Sequence, residues 1–270
     1  MPHSSPTNLI RDAELELSNL PDGLEAAASL RTFLRLSVII PAYNEAKYLE
    51  PTIAALRTAV EASDATVEII VVDNRSTDET ATLARRLGCR VVSSTANSIG
   101  GVRNDGARVA RHEHLFFLDA DTIVPDRAIR IIGDAFAAGH LGGGFIGDYR
   151  PARPVLRYYH RVWGLYASAR DMVQGFAQFC TAEAFHGLNG YDTTLFMGED
   201  NDFFWRLQKL ARATGSDVMV PSDAYVLPSC RRMDNWSVFK TIVWTNPLTI
   251  SLFRRSRRFW AKWYGRRTVR

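Results

Sequence analysis

Cysteine is scarce in this chain of 270 residues: Cys89, Cys180 and Cys230 stand far apart, with no C-x-x-C spacing. That excludes a disulfide scaffold and a cysteine-built zinc site, and it fits a reducing compartment. No apolar run is long enough to cross a bilayer. Met1 to Leu34 has no basic segment followed by an apolar core, so no secretory signal is expected there. Acid is missing from the C-terminal end. Arg254 to Arg270 holds eight Lys or Arg and no Asp or Glu, so the formal +4 divides into −4 for the body and +8 for the tail. Such asymmetry points to a surface partner for the tail. Two apparent motifs lack their context. His112-Glu113-His114 does not have the i, i+4 histidines of a zinc helix. Gly142 to Gly147 matches G-x-G-x-x-G, but a helical segment precedes it and Pro151 and Pro154 follow, so a glycine-rich strand close to substrate is expected instead.

What the chain does have is a strand-length apolar run that stops at two carboxylates, Leu115-Phe116-Phe117-Leu118-Asp119-Ala120-Asp121. A continuous apolar run of this kind reads as a buried strand of a parallel sheet, and ligands of open α/β sheets bind outside the carboxyl ends of such strands. Two carboxylates there suit a hard divalent cation that also takes substrate phosphates.

Upstream, Leu36 to Ile40 reads as a strand ended by Pro41, and Tyr48, Leu49, Ile53, Leu56 and Val60 recur at helical spacing. Val67 to Val72 is a second strand ending at Asp73, followed by a polar run and a helix over Thr80–Leu87. Arg90-Val91-Val92 is a short third strand. Asn97 to Gly101 reads as a loop and Val102 to Arg111 as a helix. Strand and helix alternate as in parallel βαβ units, bringing Tyr43, Glu45, Asp73 and Asp121 towards one crevice.

Val38-Ile39-Ile40-Pro41-Ala42-Tyr43-Asn44-Glu45, then Val71-Val72-Asp73 with Ser76-Thr77-Asp78, then Asp119-Ala120-Asp121, resembles a family 2 glycosyltransferase of the GT-A fold. The likeness runs from about Leu36 to Arg232. It implies an α/β domain with a mostly parallel central sheet flanked by helices, followed by a helical basic extension. It also implies a nucleoside-diphosphate sugar donor and a Mg²⁺ or Mn²⁺ cofactor. Carried over, Pro41, Ala42, Tyr43, Glu45 and Asp73 would face the nucleoside, Asp119 ribose or sugar, and Asp121 the metal. Arg103 and Asn104 resemble a position near the nucleotide. Asn74-Arg75 departs from the family's second acid and Gly, leaving base identity open.

In the second half, Tyr158, Tyr159, Val162, Trp163 and Tyr166 form a helical stripe expected to be core. Gly187 to Asp192 resembles the family's Gly-Gly-Phe-Asp turn with Leu188-Asn189 inserted or substituted. Glu199-Asp200, opening a helix, matches its Glu-Asp motif, which implies Asp200 as catalytic base and Glu199 as the group orienting the acceptor. Inverting transfer needs such a carboxylate opposite the leaving diphosphate. Where related enzymes often carry a metal-binding His, the chain has Ser229-Cys230-Arg231-Arg232. Arg231 and Arg232 either neutralise the diphosphate or form a solvated basic turn.

The expected organisation is an extension over 1–34, a nucleotide-sugar half over 35–125, an acceptor and catalytic half over 126–235, and a basic aromatic tail over 236–270. In that tail Trp236, Phe239 and Val243 fall on one helical face, and basic and aromatic residues interleave from Arg254, including Phe259 and Trp260. This suits an anionic membrane surface, a cytoplasmic peripheral location, and a hydroxyl acceptor for which lipid or lipid-linked compounds are candidates. A nucleotidyltransferase is the alternative enzyme, but the loop after the first strand lacks its glycine- and lysine-rich phosphate contacts. Nucleic-acid binding rests on the tail alone and is not expected.

Overall fold

The computed structural model describes residues 33–170 and 172–261. Residues 1–32 of the N-terminal extension and the tail residues Lys262, Trp263, Tyr264, Arg266, Arg267 and Arg270 lie outside them.

The first half alternates β1 (Arg35–Ala42), α1 (Ala46–Glu61), β2 (Thr66–Asp73), α2 (Thr80–Arg86), β3 (Arg90–Ser93), α3 (Ile99–Val109) and β4 (His114–Leu118). There follow β5 (Thr122–Ile123), α4 (Ala128–Ala137), β6 (Gly142–Gly144), β7 (Ile146–Gly147), α5 (Pro154–Ala169), β8 (Ala177–Thr181), α6 (Ala182–Gly187) and α7 (Glu199–Ala213). The described chain closes with β9 (Val218–Met219), β10 (Tyr225–Pro228), α8 (Arg231–Asn235), α9 (Val238–Thr245), α10 (Pro247–Phe253) and α11 (Arg257–Trp260). The main sheet runs β3-β2-β1-β4-β8-β6-β9, with only β8 antiparallel to its neighbours; a small sheet runs β5-β10-β7.

The period of two along the strands sorts the core into two layers. Leu36, Val38, Ile40, Phe116 and Leu118 face α1 and α4, packing on Leu49, Ile53, Leu56 and Ile132. Ile39, Leu115 and Phe117 face the other way, onto Val102 and Ala107 of α3, Phe185 and Phe203. On that face Gly106 is required: a Cβ there would meet Ile39 Cγ2 at 2.4 Å and Val72 Cγ2 at 2.8 Å.

Several expectations are corrected. β1 does not stop at Pro41. It continues to Ala42 beside Asp73, whereas its pairing with β4 ends at Ile39. Ala42 C=O accepts from Asn74 N–H at 2.9 Å, so Ala42 faces β2 and Pro41 faces the side where the ladder has already ended. Its missing N–H therefore costs no bond. α3 begins at Ile99 rather than Val102, because Ser98 caps it by accepting from Gly101 N–H. The glycines of β6 approach neighbouring strands, not substrate: a Cβ on Gly143 would lie 1.9 Å from Met219 O. The aromatic stripe of α5 is not core. Only Leu156 of that helix is buried, while Tyr158 is 70% and Leu165 71% exposed. Nor do Phe259 and Trp260 project outward: Trp260 is fully buried, and Phe259 stacks on Phe253 and Trp244. In the tail's expected apolar face, Phe239 is exposed and Trp236 precedes α9, lying under Lys240.

Candidate active site

The carboxyl ends of β1, β2 and β4 open on a cavity of about 560 Å³. Its walls include Pro41, Ala42, Tyr43, Glu45, Asp119, Asp121, Glu199, Asp200, Arg231 and Arg232.

The segment Asp119-Ala120-Asp121 is pinned through its backbone. Asp119 N–H donates to Phe176 O at 3.0 Å, Thr52 Oγ1 of α1 donates to Ala120 O at 3.0 Å, and Ser229 N–H donates to Asp121 O at 3.0 Å. Both carboxylates are thereby aimed before any ligand arrives. The loop after β1 is fixed in the same way by the polar run after β2. Asn44, in the left-handed region at φ 55°, accepts from Thr77 N–H at 2.7 Å. Glu45 N–H donates to Thr80 Oγ1 at 2.8 Å and Ala46 N–H to Asp78 at 3.2 Å.

Beneath the cavity lies Arg103, only 2% exposed. It donates to Glu199 Oε1 at 2.9 Å, Asp119 Oδ1 at 2.8 Å and Gly175 O at 2.9 Å, with Tyr191 against its face. Burial works against this cation, but Asp119, Tyr191, Glu199 and Asp200 outweigh it and hold its pKa above the ordinary value. One guanidinium thus ties the end of β4 to the start of α7. It is a hub under the site as well as part of its wall.

Asp200 accepts from Gly175 N–H through Oδ2 and from Asn201 N–H through Oδ1, both at 2.8 Å. Burial raises the pKa of both Asp200 and Glu199; Arg103 opposes the rise in each, and Asp200 adds to that of Glu199. The two N–H groups favour the Asp200 anion, which is the form a base needs.

Asp121 is pushed up to about 6 by burial, then by Asp119, with Arg231 opposing and Glu45 adding. Arg231 donates to both oxygens of Glu45 and lies 3.2 Å from Asp121 Oδ2, its guanidinium over the Tyr48 ring. Burial opposes its cation, but Glu45 and Asp121 hold its pKa above the ordinary value. The cavity gathers the carboxylates of Glu45, Asp119, Asp121, Glu199 and Asp200 against the guanidiniums of Arg103, Arg231 and Arg232. An excess of oxygen anions fits Mg²⁺ or Mn²⁺ held by one or two carboxylates and substrate phosphates. No group of three His, Cys, Asp or Glu able to hold a metal occurs among the described residues.

The other expected residues fall unevenly. Asn104 does not line the cavity: its side chain clamps the backbone of Tyr191, donating to O and accepting from N–H at 2.9 Å each. Glu45 faces Arg231. Asp73 does not line the cavity: its Oδ1 is buried and unbonded at the end of β2, and the adjacent Asn74 lines the wall instead. Residue reading missed Asn74, Tyr149, Gly175, Phe176 and Met197, which also line it. For Asn74 the signal was present, one residue beyond a strand-ending acid. The others come from connections with no local pattern.

The Glycosyl transferase family 2 model matches residues 37–182. The succinoglycan biosynthesis protein ExoO of Rhizobium meliloti is 35% identical over 109 residues, covering 38% of this chain and 30% of ExoO. Glycosyltransferase AglD of Haloferax volcanii is 28% identical over 213 residues, covering 72% of this chain and 33% of AglD. The chain therefore spans about a third of the length of these relatives. Among solved structures, glucosyl-3-phosphoglycerate synthase of Mycobacterium tuberculosis with Mn²⁺, UDP and glucosyl-3-phosphoglycerate superposes with a TM-score of 0.58 at 20% identity, over 88% of this chain and 84% of that one. A Pyrobaculum calidifontis mannosyltransferase with GDP-mannose and Mn²⁺ gives 0.54 at 24% identity, over 73% and 57%. These structures carry the GT-A fold expected from the motifs.

Proposed function

From the premise that this chain belongs to glycosyltransferase family 2, we propose that it transfers a sugar from a nucleoside-diphosphate sugar to an acceptor hydroxyl, with inversion. The observation that carries this reading is one cavity bordered by Asp119 and Asp121 at the end of β4 and by Asp200 in the first turn of α7. Similarity to structures in complex with UDP, UDP-GlcNAc or GDP-mannose supports the donor class.

In this reading Pro41, Ala42, Tyr43 and Asn74 border the nucleoside, with Asp73 beside Asn74 at the end of β2. Asp121, with Asp119 beside it, would hold a divalent cation, which would supply Lewis-acid stabilisation of the leaving diphosphate. Arg231 and Arg232 turn towards the same phosphates, Arg231 giving up part of its hold on Glu45 and Asp121. Arg103 keeps Asp119 and Glu199 in place. The acceptor O–H gives its proton to the Asp200 carboxylate while its oxygen bonds to the anomeric carbon. The bond from that carbon to the diphosphate oxygen breaks, and its electron pair leaves with the nucleoside diphosphate.

The basic tail over 236–270 holds the enzyme at the cytoplasmic face of an anionic membrane. No helix of the described residues is long and apolar enough to cross a bilayer, and Arg254, Arg255, Arg257 and Arg258 lie in an acid-free stretch. A thermal-shift screen of UDP- and GDP-sugars with Mn²⁺ or Mg²⁺ tests the function. One donor should stabilise the protein only together with metal; no stabilisation by any nucleotide-sugar would overturn the reading.

A further inference from the structure

A second cavity, of about 470 Å³, adjoins the first and shares Asp119, Asp121, Asp200, Tyr149 and Phe176 with it. One wall is α5, through His160, Trp163 and Tyr166; the other is α9 and α10, through Trp244, Pro247 and Ile250. The walls are stapled together. Tyr159 Oη shares a hydrogen bond with Thr245 Oγ1 at 2.8 Å, and Trp163 Nε1 donates to Thr245 O at 2.9 Å. Ile250 reaches the start of the catalytic helix, where its Cγ2 lies 3.6 Å from the position a Cβ would take on Gly198.

Three observations define what this cavity takes. Its lining is dominated by Trp, Met, Tyr, Phe, Pro and Ile side chains. On α9, Thr241 donates to Ser237 O and Thr245 is committed as above, while the charged groups Asp119, Asp121, Asp200, Arg231 and Arg232 lie where the two cavities meet. Finally, apolar surface continues outward on both walls. Tyr158 and Leu165 of α5 are 70% and 71% exposed, and Leu248 and Leu252 of α10 are 67% and 69% exposed. Both walls are also free of acid: Pro151 to Arg170 and Asn235 to Arg270 contain no Asp or Glu but many Arg. Apolar side chains within a basic, acid-free surface match an anionic lipid interface.

We propose that this second cavity is the acceptor site and that it binds an amphiphile: a lipid chain between α5 and α10, with its hydroxyl-bearing head at Asp200. The assignment rests on the transferase reading above. The face formed by α5 and α10 then joins the basic tail in meeting the membrane, so the lipid enters from the bilayer. His160 stacks on Tyr149 at 4.7 Å between centroids, and its buried Nε2 has no hydrogen-bond partner in the protein. Thr122 Oγ1 and Asn201 Oδ1, which also line the cavity, are likewise buried without a partner, so polar atoms remain for a head group.

The test uses the full chain without donor or metal and follows intrinsic tryptophan fluorescence. Decyl maltoside, kept below its micelle threshold, is titrated against maltose, the same head without a chain. Decyl maltoside should give a saturable change at concentrations more than a hundredfold below any response to maltose. Ile250→Glu and Trp163→Ala should each weaken it at least tenfold, with circular dichroism confirming the fold. Equal response to the two compounds would make the site a carbohydrate site and overturn the proposal. So would no response to either, or unchanged binding in both variants. The nucleotide-sugar thermal shift is read separately: a donor shift without amphiphile binding sinks this proposal alone, and absence of any donor shift sinks the transferase reading.

Discussion

Replacing Arg103 by Met removes the only guanidinium that reaches both Asp119 and Glu199 among the described ion pairs. Glu199 is 4% exposed and cannot recover water, whereas the Asp119 side chain is 29% exposed and recovers part of its solvation. Breaking a buried pair by deleting one partner costs about 3–5 kcal/mol. For a domain of this size each kcal/mol lowers Tm by roughly 2–4 °C, so the variant should melt about 6–20 °C below the parent at pH 7. The loss should depend on pH with a definite sign. The folded-state pKa of Glu199 and Asp200 is already raised by burial. Without Arg103 it rises further. A raised carboxyl contributes stability below its unfolded value, near pH 4, and loses it as pH climbs through the folded value. The variant's deficit should therefore shrink on going from pH 7 to pH 5. Arg103→Lys should fall between, since one ammonium cannot reproduce the fork. Thermal unfolding by circular dichroism at both pH values is the assay. A Tm within 2 °C of the parent at pH 7, or a deficit that grows on acidification, would refute the hub.

Asp121→Asn should keep the parent's Tm within a few degrees yet lose the extra stabilisation that metal adds to a bound nucleotide-sugar; an undiminished metal effect would remove Asp121 from the metal site. Gly106→Ala must push α3 away from Ile39 and Val72, costing about 1–3 kcal/mol as overpacking, and urea unfolding should show it as a lowered midpoint with unchanged slope. Replacing Arg254, Arg255, Arg257 and Arg258 with Gln should release the protein from phosphatidylglycerol vesicles in a sedimentation assay at low salt; equal pelleting of parent and variant would remove the tail's electrostatic role.

Strands ending in polar or acidic residues were legible because apolar runs and carboxylates are local signals. The runs that end at Asp73 and Asp119 pointed to the carboxyl edge where the cavity lies, whereas the strand order is given by the pairing alone. What was not legible depended on pairing between distant segments. Pro41 looks like a strand end until β4 is seen to stop short of it on that side. Arg103 reads as a ligand-facing cation, and only the meeting of α3 with the starts of β8 and α7 shows it buried under the site. The stripe on α5 has the spacing of a core helix, and periodicity cannot say whether a partner covers that face. The tail read as a separate anchor, but Phe196 N–H donates to Arg254 O at 2.7 Å and Arg255 pairs with Asp192 at 3.4 Å. The stretch from Trp236 to Arg254 walls the second cavity, and truncation near Asn235 would remove that wall together with the basic charge.

Asp200→Asn tests the transferase reading most directly. With the donor identified, its Kd from calorimetry and kcat from nucleoside diphosphate release should be measured on parent and variant. Removing a general base should lower kcat by about 10²–10⁴-fold. Donor Kd should stay within about threefold, because the proton it takes belongs to the acceptor. Loss of donor affinity with kcat preserved would contradict the assignment and move Asp200 to the nucleotide side of the cavity.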